Sequence, residues 1–482
     1  MLRPWKLEIR IDHKSQKAVY LQIADAIISD IQSGRLNSGD ALPGSRNLAE
    51  MLHVNRNTIV EALHVLLNEE WIVSKERKGT FVAATLPVFS RQRKMEIAAP
   101  DEAPQNKHYR IIFDDGYPDS KIAPVTELAR GYRQIFNRNA RWQMMGYSNE
   151  FGHPDFIEAI VQMLNQQRGM QVNSSAICIT RGSQMAMYLA AQCICSKGDF
   201  VMVENPGYQP AWKALETAGA TLLPVRVDKD GLIIEDVVNH LKVQPLIKAI
   251  YITPHHQYPT TVTLSLQRRL ELIRLSNEYG FTIIEDDYDN EFHFGYRPML
   301  PVSSFAQLQE YVYIGTMSKV VAPALRIGYL VSNDTSLITK VGELRKIIDV
   351  QGDGIMEQAV LQLVNDGTIR RHIKKATTYY KAKRDYTVSL LNTYLKDKAD
   401  YAVPEGGLAI WVQPKQAQDW IQISKKMALS GIKILPPEHY SNDPLVNGIR
   451  LGYGSLSEKD LKEGIILLAK HMTYTPNAFY FT

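Results

Sequence analysis

Between about residues 175 and 332 short apolar runs alternate with longer amphipathic stretches, a rhythm compatible with few folds. The runs lie at 177–180, 200–203, 249–253, 282–285, 312–314 and 327–331, each of a length suited to a buried strand. Segments between them, such as SLQRRLELIRLSNEYG, carry the helical period. This alternation predicts a mainly parallel sheet with helices on both faces. In such sheets ligands gather at the carboxyl ends of the strands, so the chemistry is to be sought just after each run.

Arg181, Gly182, Ser183 and Gln184 follow the first run and open a helix. Free N–H groups there favour a phosphate, and glycine permits close approach, although most strand–glycine–helix turns are only turns. Tyr208 follows the second run. Its ring could lie flat on a heteroaromatic cofactor, where a packing role is the commoner fate of a tyrosine. Asp286, Asp287, Tyr288 and Asp289 close the run at 282–285. Paired carboxylates suit a metal, yet no His/Cys set stands nearby, and no metal site is expected. A buried acid needs a cation or strong donors, and a protonated pyridine nitrogen is such a partner for Asp286. Tyr288 would then donate to a ring hydroxyl. Thr316, Ser318, Lys319, Pro323 and Arg326 follow the run at 312–314. A lysine at such an edge is normally just solvated, whereas a desolvated one with a lowered pKa forms an imine with an aldehyde. Thr316 and Arg326 could face a phosphate.

The first eighty residues follow a different plan. Residues 20–34 place Ile23, Ile27, Ile28 and Ile31 on one side of a helix, with Gly34 as its stop. A turn-rich stretch leads to a second helix at 46–52, with Leu48, Ala49 and Leu52 inward. A third runs from Arg56 to about Glu70 with a stripe of Ile59, Leu63, Leu66 and Leu67. Two short strands, 71–73 and 79–82, flank the charged turn KERKG. Helix, helix, tight turn, helix and hairpin make a winged helix-turn-helix, or else a small helical domain with a solvated basic hairpin. In the first case Arg56 and Asn57 lead the third helix into the major groove, while Lys75, Arg77 and Lys78 meet the backbone.

Bulk properties set bounds. At 482 residues two or three domains are expected. The net charge of +4, and 11 Lys+Arg against 10 Asp+Glu in residues 1–83, mean that any DNA contact rests on a few placed cations. Cys178, Cys193 and Cys195 lack C-x-x-C spacing and read as buried thiols in a reducing cytoplasm. No apolar run is long enough to span a membrane, and the N-terminus lacks the apolar core of a signal peptide, so a cytoplasmic location is expected.

The segment from Gln22 to Val82 resembles the DNA-binding domain of the GntR family, on GRLNSGDALPGSRNLA, VNRNT and GTFV. The resemblance implies DNA contacts at Arg46 and Arg56, with Thr58, Gly79 and Thr80 near phosphates, beside Asn57 and Lys78. The ordered set of strand-end residues from about Ile111 to Thr473 resembles the fold-type-I pyridoxal-phosphate (PLP) enzymes of the aspartate aminotransferase group. That resemblance implies Lys319 as the imine lysine, Asp286 at the pyridine nitrogen, Tyr288 at the ring oxygen and Tyr208 stacked on the ring. It implies Gly182, Ser183, Gln184, Thr316 and Arg326 at the phosphate. Arg450, in GIRLG, matches the arginine that takes a substrate carboxylate. TPHHQYPTTVTL matches another family stretch, with Thr261 in place of the usual glycine, and puts His256 and Gln257 near the cofactor.

Both halves in this order resemble the MocR/GabR-type branch of GntR regulators, as does GYSNEFGHPDFIEAI. The implied organisation is a winged helix-turn-helix at 1–83, a linker at 84–108, and an aminotransferase-like PLP-binding domain at 109–482. The last comprises an α/β large subdomain at about 140–345 and a smaller α+β subdomain from about 346–482, joined by the N-terminal segment. The implied function is a homodimeric, PLP-dependent regulator that binds double-stranded operator DNA and senses an amino compound bearing a carboxylate. An active aminotransferase carrying a DNA-binding domain is the alternative, and enzyme activity stays open. A DNA-binding protein that has lost its cofactor is a third reading, against which the complete cofactor set argues.

Overall fold

The computed structural model describes residues 9–12, 14–76, 78–87, 109–137, 142, 146–244, 246–295 and 299–472. The chain divides into two compact units, Met1–Gln105 and Asn106–Thr482.

Among its described residues the first unit holds helices Val19–Gln32, Ser45–Leu52 and Arg56–Asn68, then a hairpin of strands Ile72–Lys75 and Gly79–Val82. The hairpin pairs antiparallel from Ile72↔Val82 to Lys75↔Gly79. His53, at φ 50°, ends the second helix, and the Asn55 side chain accepts the Asn57 N–H at 2.9 Å to start the third. The tight connection between these helices is therefore set by local capping. Ile23, Ile27, Ile31, Leu48, Ile59, Ala62, Leu66 and Trp71 form the core. The stripe of the third helix differs from expectation. Ala62 is fully buried, whereas Leu63 and Leu67 pack only at the margin. Positions 59, 62 and 66 share the helix face aimed at the core, and a small residue in the middle lets the first helix approach closely.

The second unit is built on an eight-stranded sheet. Its order is Ile177–Thr180, Gly328–Ser332, Tyr311–Thr316, Thr282–Asp287, Ile247–Ile252, Phe200–Asn205, Thr221–Asp228, Gly231–Leu232. Gly328–Ser332 runs antiparallel to both neighbours and Gly231–Leu232 antiparallel to Thr221–Asp228; the other pairings are parallel. Side chains alternate between two cores, as a pleated strand requires. Ile179, Ile250, Ile283 and Tyr313 face helices Pro154–Arg168 and Leu266–Tyr279, while Cys178, Tyr251, Ile284 and Val312 face Ser183–Ile194 and Thr335–Asp349. Thr221–Asp228 was not anticipated as a strand. It lies near the sheet edge, carries Pro224 and buries only Val225 fully, so no apolar run marks it.

A smaller layer follows. Ala399–Tyr401, Ala409–Pro414 and Ile449–Gly452 form an antiparallel sheet covered by Thr368–Tyr394, Trp420–Leu429 and Glu458–His471. Ile111–Ile112 pairs in parallel with Ile432–Lys433, and Phe113 packs in the same core as Tyr380, Trp420 and Ile465. This pairing delivers the loop 114–119 to the functional site. Among the described residues no helix is long and apolar enough to cross a membrane. Cys178, Cys193 and Cys195 are free thiols, and burial pushes each up to about 11.

Candidate cofactor site and nucleic-acid interface

Five of the parallel-sheet elements end at one cavity of about 240 Å³. Its walls include Ser183, Tyr208, Asp286, Tyr288, Thr316, Lys319 and Arg326, all anticipated from sequence. Tyr251, Thr253, Tyr258, Ser318 and Pro323 complete them, with Asp115 and Tyr117 from the returning loop.

Asp286 is the penultimate residue of the strand Thr282–Asp287 and is only 6% exposed. Its Oδ2 accepts the Tyr251 hydroxyl at 3.0 Å, and its Oδ1 is buried without a hydrogen-bond partner. Burial, then repulsion from Asp287 and Asp289, pushes its carboxyl up to about 7 against the Tyr251 bond. Among the described residues no ion pair offsets this buried carboxylate. Tyr251 was not singled out in the sequence, since it lies inside an apolar run.

The Tyr288 hydroxyl donates to the His256 carbonyl at 2.7 Å and lies 3.3 Å from Arg450 Nη2. His256 itself does not line the cavity, contrary to the expectation that it binds the cofactor. Its Nδ1 meets Asp289 at 2.7 Å, and its ring packs where a Cβ on Gly406 would be 2.7 Å away. Gln257 likewise turns inward, to the carbonyls of Pro206 and Tyr258. Arg450 is 1% exposed. Its Nε and Nη1 donate to the carbonyls of Asp115 and Pro259 at 3.1 and 2.9 Å, and its guanidinium lies 5.1 Å from the Tyr258 ring centroid. Burial opposes the charge, but Tyr288, Tyr258, Asp289 and Asp115 hold it firmly cationic.

Lys319 lies just past the strand Tyr311–Thr316. Its Nζ donates to the Gly116 carbonyl at 2.5 Å and sits 5.1 Å from the Tyr117 ring centroid. Burial pulls the ammonium below the usual lysine range, against the pull of Asp289 and Asp114.

Gly182, at φ 84°, starts the helix Ser183–Ile194. A Cβ there would lie 3.0 Å from an Arg326 guanidinium nitrogen, so glycine is needed for both the backbone angle and the close approach. Arg326 Nη2 donates to the Arg181 carbonyl at 3.1 Å. Thr316 Oγ1 donates to the Ile327 carbonyl and accepts the Ser318 N–H, each at 3.1 Å. The Ser318 hydroxyl and the Gln184 Oε1 are buried without partners. Gln184 Nε2 reaches the Pro210 carbonyl at 3.1 Å, and Gln184 is not on the cavity wall.

These residues fit pyridoxal phosphate. An unpartnered acid matches a pyridinium nitrogen, a lysine of lowered pKa matches an aldehyde, and a glycine-led helix start beside Arg326 and an unpaired hydroxyl matches a phosphate.

In the first unit Arg46, Arg56 and Asn57 are exposed on the second and third helices, and Thr58 is half-buried. Arg56 Nε lies 3.4 Å from Ser45 Oγ, which brings the two helix starts together. On the wing Lys78 and Gly79 are exposed, and the Thr80 carbonyl accepts the Leu42 N–H at 2.9 Å. Lys75 Nζ lies 5.1 Å from the Phe81 ring centroid. Arg77 lies outside the described residues.

Comparison with known proteins agrees with both architectures. The profile of aminotransferase class I and II matches residues 117–468, and that of bacterial regulatory proteins of the gntR family matches residues 19–82. The probable rhizopine catabolism regulatory protein MocR of Rhizobium meliloti is 26% identical over 478 residues, 94% of each chain. The transcriptional regulator TauR of Rhodobacter capsulatus is 26% identical over 479 residues, 94% of this chain and 96% of that one. The kynurenine aminotransferase of Pyrococcus horikoshii, solved with PMP, superposes with a TM-score of 0.71 at 26% identity over 76% of this chain and 91% of that one. With a cofactor cavity in the second unit and a winged helix-turn-helix in the first, the chain belongs to the aminotransferase class I and II family and carries at its N-terminus a domain of the gntR regulatory family.

Proposed function

We propose that this chain is a PLP-dependent, DNA-binding transcriptional regulator whose second unit senses an amino compound. The carrying observation is that Lys319 and the unpartnered Oδ1 of Asp286 belong to one cavity in a chain headed by a gntR-type domain. Bound pyridoxal phosphate supplies an aldehyde that captures amines and a ring that draws electrons from them.

The residues around it divide the work. Asp286, held by Tyr251, keeps the ring nitrogen protonated. Tyr288 would donate to the ring oxygen by giving up its bond to the His256 carbonyl, and Tyr208 would cover the ring face. Gly182, Ser183, Thr316 and Arg326 hold the phosphate, with Gln184 supporting the same helix turn. Lys319, its ammonium destabilised by burial, presents a neutral amine more readily than a solvated lysine does. Arg450 receives the effector's carboxylate, and its 3.3 Å contact with Tyr288 is the longest of its hydrogen bonds and the first to exchange. Arg46, Arg56, Asn57, Thr58, Lys78, Gly79 and Thr80 meet DNA, in a cytoplasmic homodimer on a two-fold operator.

A working aminotransferase is the second reading, favoured by the likeness to a solved aminotransferase and by a lysine whose lowered pKa suits it to act as a base. One experiment separates them. Operator affinity of the cofactor-loaded chain is measured with and without a panel of amines, and oxo-acid product is followed in the same samples. The regulator reading expects operator affinity to shift by about 5–150-fold with one amine, reciprocally in amine affinity. Sustained oxo-acid production near the enzyme median of about 10 s⁻¹, with no shift on DNA, would favour the enzyme.

A further inference from the structure

We infer that Asp115 selects the effector: the cavity takes an amino acid with a second cationic nitrogen, which the Asp115 carboxylate receives. The inference rests on the reading of the cavity as the effector site.

Asp114 and Asp115 stand side by side in the returning loop, but only Asp114 shapes it. Asp114 Oδ1 accepts the N–H groups of Gly116 and Tyr117, both at 2.8 Å, and its Oδ2 accepts the Ser455 hydroxyl at 2.7 Å. The Asp115 carboxylate has no such duty and lies on the cavity wall, 23% exposed. Its Oδ1 accepts the Tyr258 hydroxyl at 2.6 Å. Among the described residues the basic side chain within ion-pair distance is the imidazole of His439, 4.0 Å from Oδ2 and half-exposed. Arg450 and Lys319 feel its charge but make no ion pair with its carboxylate; the Arg450 guanidinium donates to the Asp115 and Pro259 carbonyls and the Lys319 ammonium to that of Gly116. A half-buried carboxylate with one phenol donor is under-solvated, and an incoming ammonium ion relieves it. The same group repels a second carboxylate, so acidic effectors are disfavoured. Asp115 thus presents a negative charge on the cavity wall, while the buried Arg450 lies behind the wall, 3.3 Å from the hydroxyl of the wall residue Tyr288; a carboxylate that reaches Arg450 and a second amino group at Asp115 suit this arrangement.

The test uses the full-length, cofactor-loaded chain and calorimetric titration with L-ornithine and L-norvaline, which differ by one terminal amino group. L-Ornithine is expected to bind at least about tenfold tighter, the scale of a hydrogen bond to a charged group. Asp115→Asn keeps size and shape, and is expected to bring the two affinities within about twofold of each other. Equal or tighter binding of L-norvaline by the unaltered chain overturns the inference, as does an unchanged preference in the variant. Binding of neither compound also overturns it. The cofactor's absorption band then tells the two failures apart: a loaded chain that ignores both ligands refutes the selectivity alone, and a chain that takes up no cofactor refutes the site.

Discussion

Asp286 and Asp287 are consecutive carboxylates at the end of one strand, and they are driven in opposite directions. Asp286 shares the strand face of Ile284 and meets Tyr251 beside the cavity; Asp287 shares the face of Ile283 and lies 3.8 Å from Arg168 Nε, within 3.5 Å of His255 and bonded by Tyr313 and Asn290. Both are buried, which raises both. Arg168 and His255 more than offset this at Asp287 and lower it, whereas Asp286 has only a phenol and rises to about 7. The two-residue period of the pleat thus converts neighbours into one structural and one chemical acid.

The raised Asp286 makes the cofactor-free chain pH-sensitive. Its folded-state value of about 7 exceeds the ordinary 3.8, so its contribution is fully present below about pH 4 and lost as pH rises through about 7. Asp286→Asn is expected to remove a loss on the order of a few kcal/mol from unfolding curves across that range. Glu204, raised by burial to about 7 as well, leaves a residual slope in both proteins. The difference between the two slopes is the quantity to read, and parallel curves would contradict the assignment.

Lys319→Ala is expected to leave no cofactor attached after borohydride treatment and denaturation, as read by mass spectrometry. The hydrogen bond lost to the Gly116 carbonyl is worth about 1 kcal/mol, so the variant should stay folded. Covalently retained cofactor in the variant would show that another lysine carries it.

Arg56→Ala is expected to weaken operator binding by about 1–3 kcal/mol and to relax preference at one base pair. Lys78→Ala, on the wing, should weaken all sequences alike and lower the salt slope by about 1. Gel-shift titrations over a salt series distinguish the two, and an Arg56 variant with native affinity and preference denies it a base contact.

Thr261 adopts φ 64°, the left-handed conformation that glycine accepts freely. A β-branched residue there stores about 1 kcal/mol or more. Thr261→Gly is therefore expected to raise the unfolding midpoint, and a lower midpoint would mean that the threonine's packing outweighs its backbone strain. The loop nevertheless holds the Pro259 carbonyl against Arg450 at 2.9 Å.

The sheet and its strand ends were legible in the sequence because buried strands announce themselves as apolar runs. Lys319, Asp286 and Tyr208 could be nominated from their place just beyond those runs. Tyr251 could not, since its partnership with Asp286 arises from strand order, which sets Ile247–Ile252 beside Thr282–Asp287. Asp115 and Tyr117 were hidden for a similar reason. They enter the cavity only because Ile111–Ile112 pairs with residues more than three hundred positions later. His256 misled in the other direction: its place in a familiar stretch suggested the cofactor, and a salt-bridge geometry with Asp289 turned its ring elsewhere.

That pairing of Ile111–Ile112 with Ile432–Lys433 also fixes the route of the polypeptide. Among the described residues of the second unit, the first strand joins the smaller layer, not the eight-stranded sheet. Asp115 and Tyr117, three to six residues beyond that anchor, are therefore carried by the smaller layer, so that the cavity wall they supply would travel with that layer rather than with the strand ends.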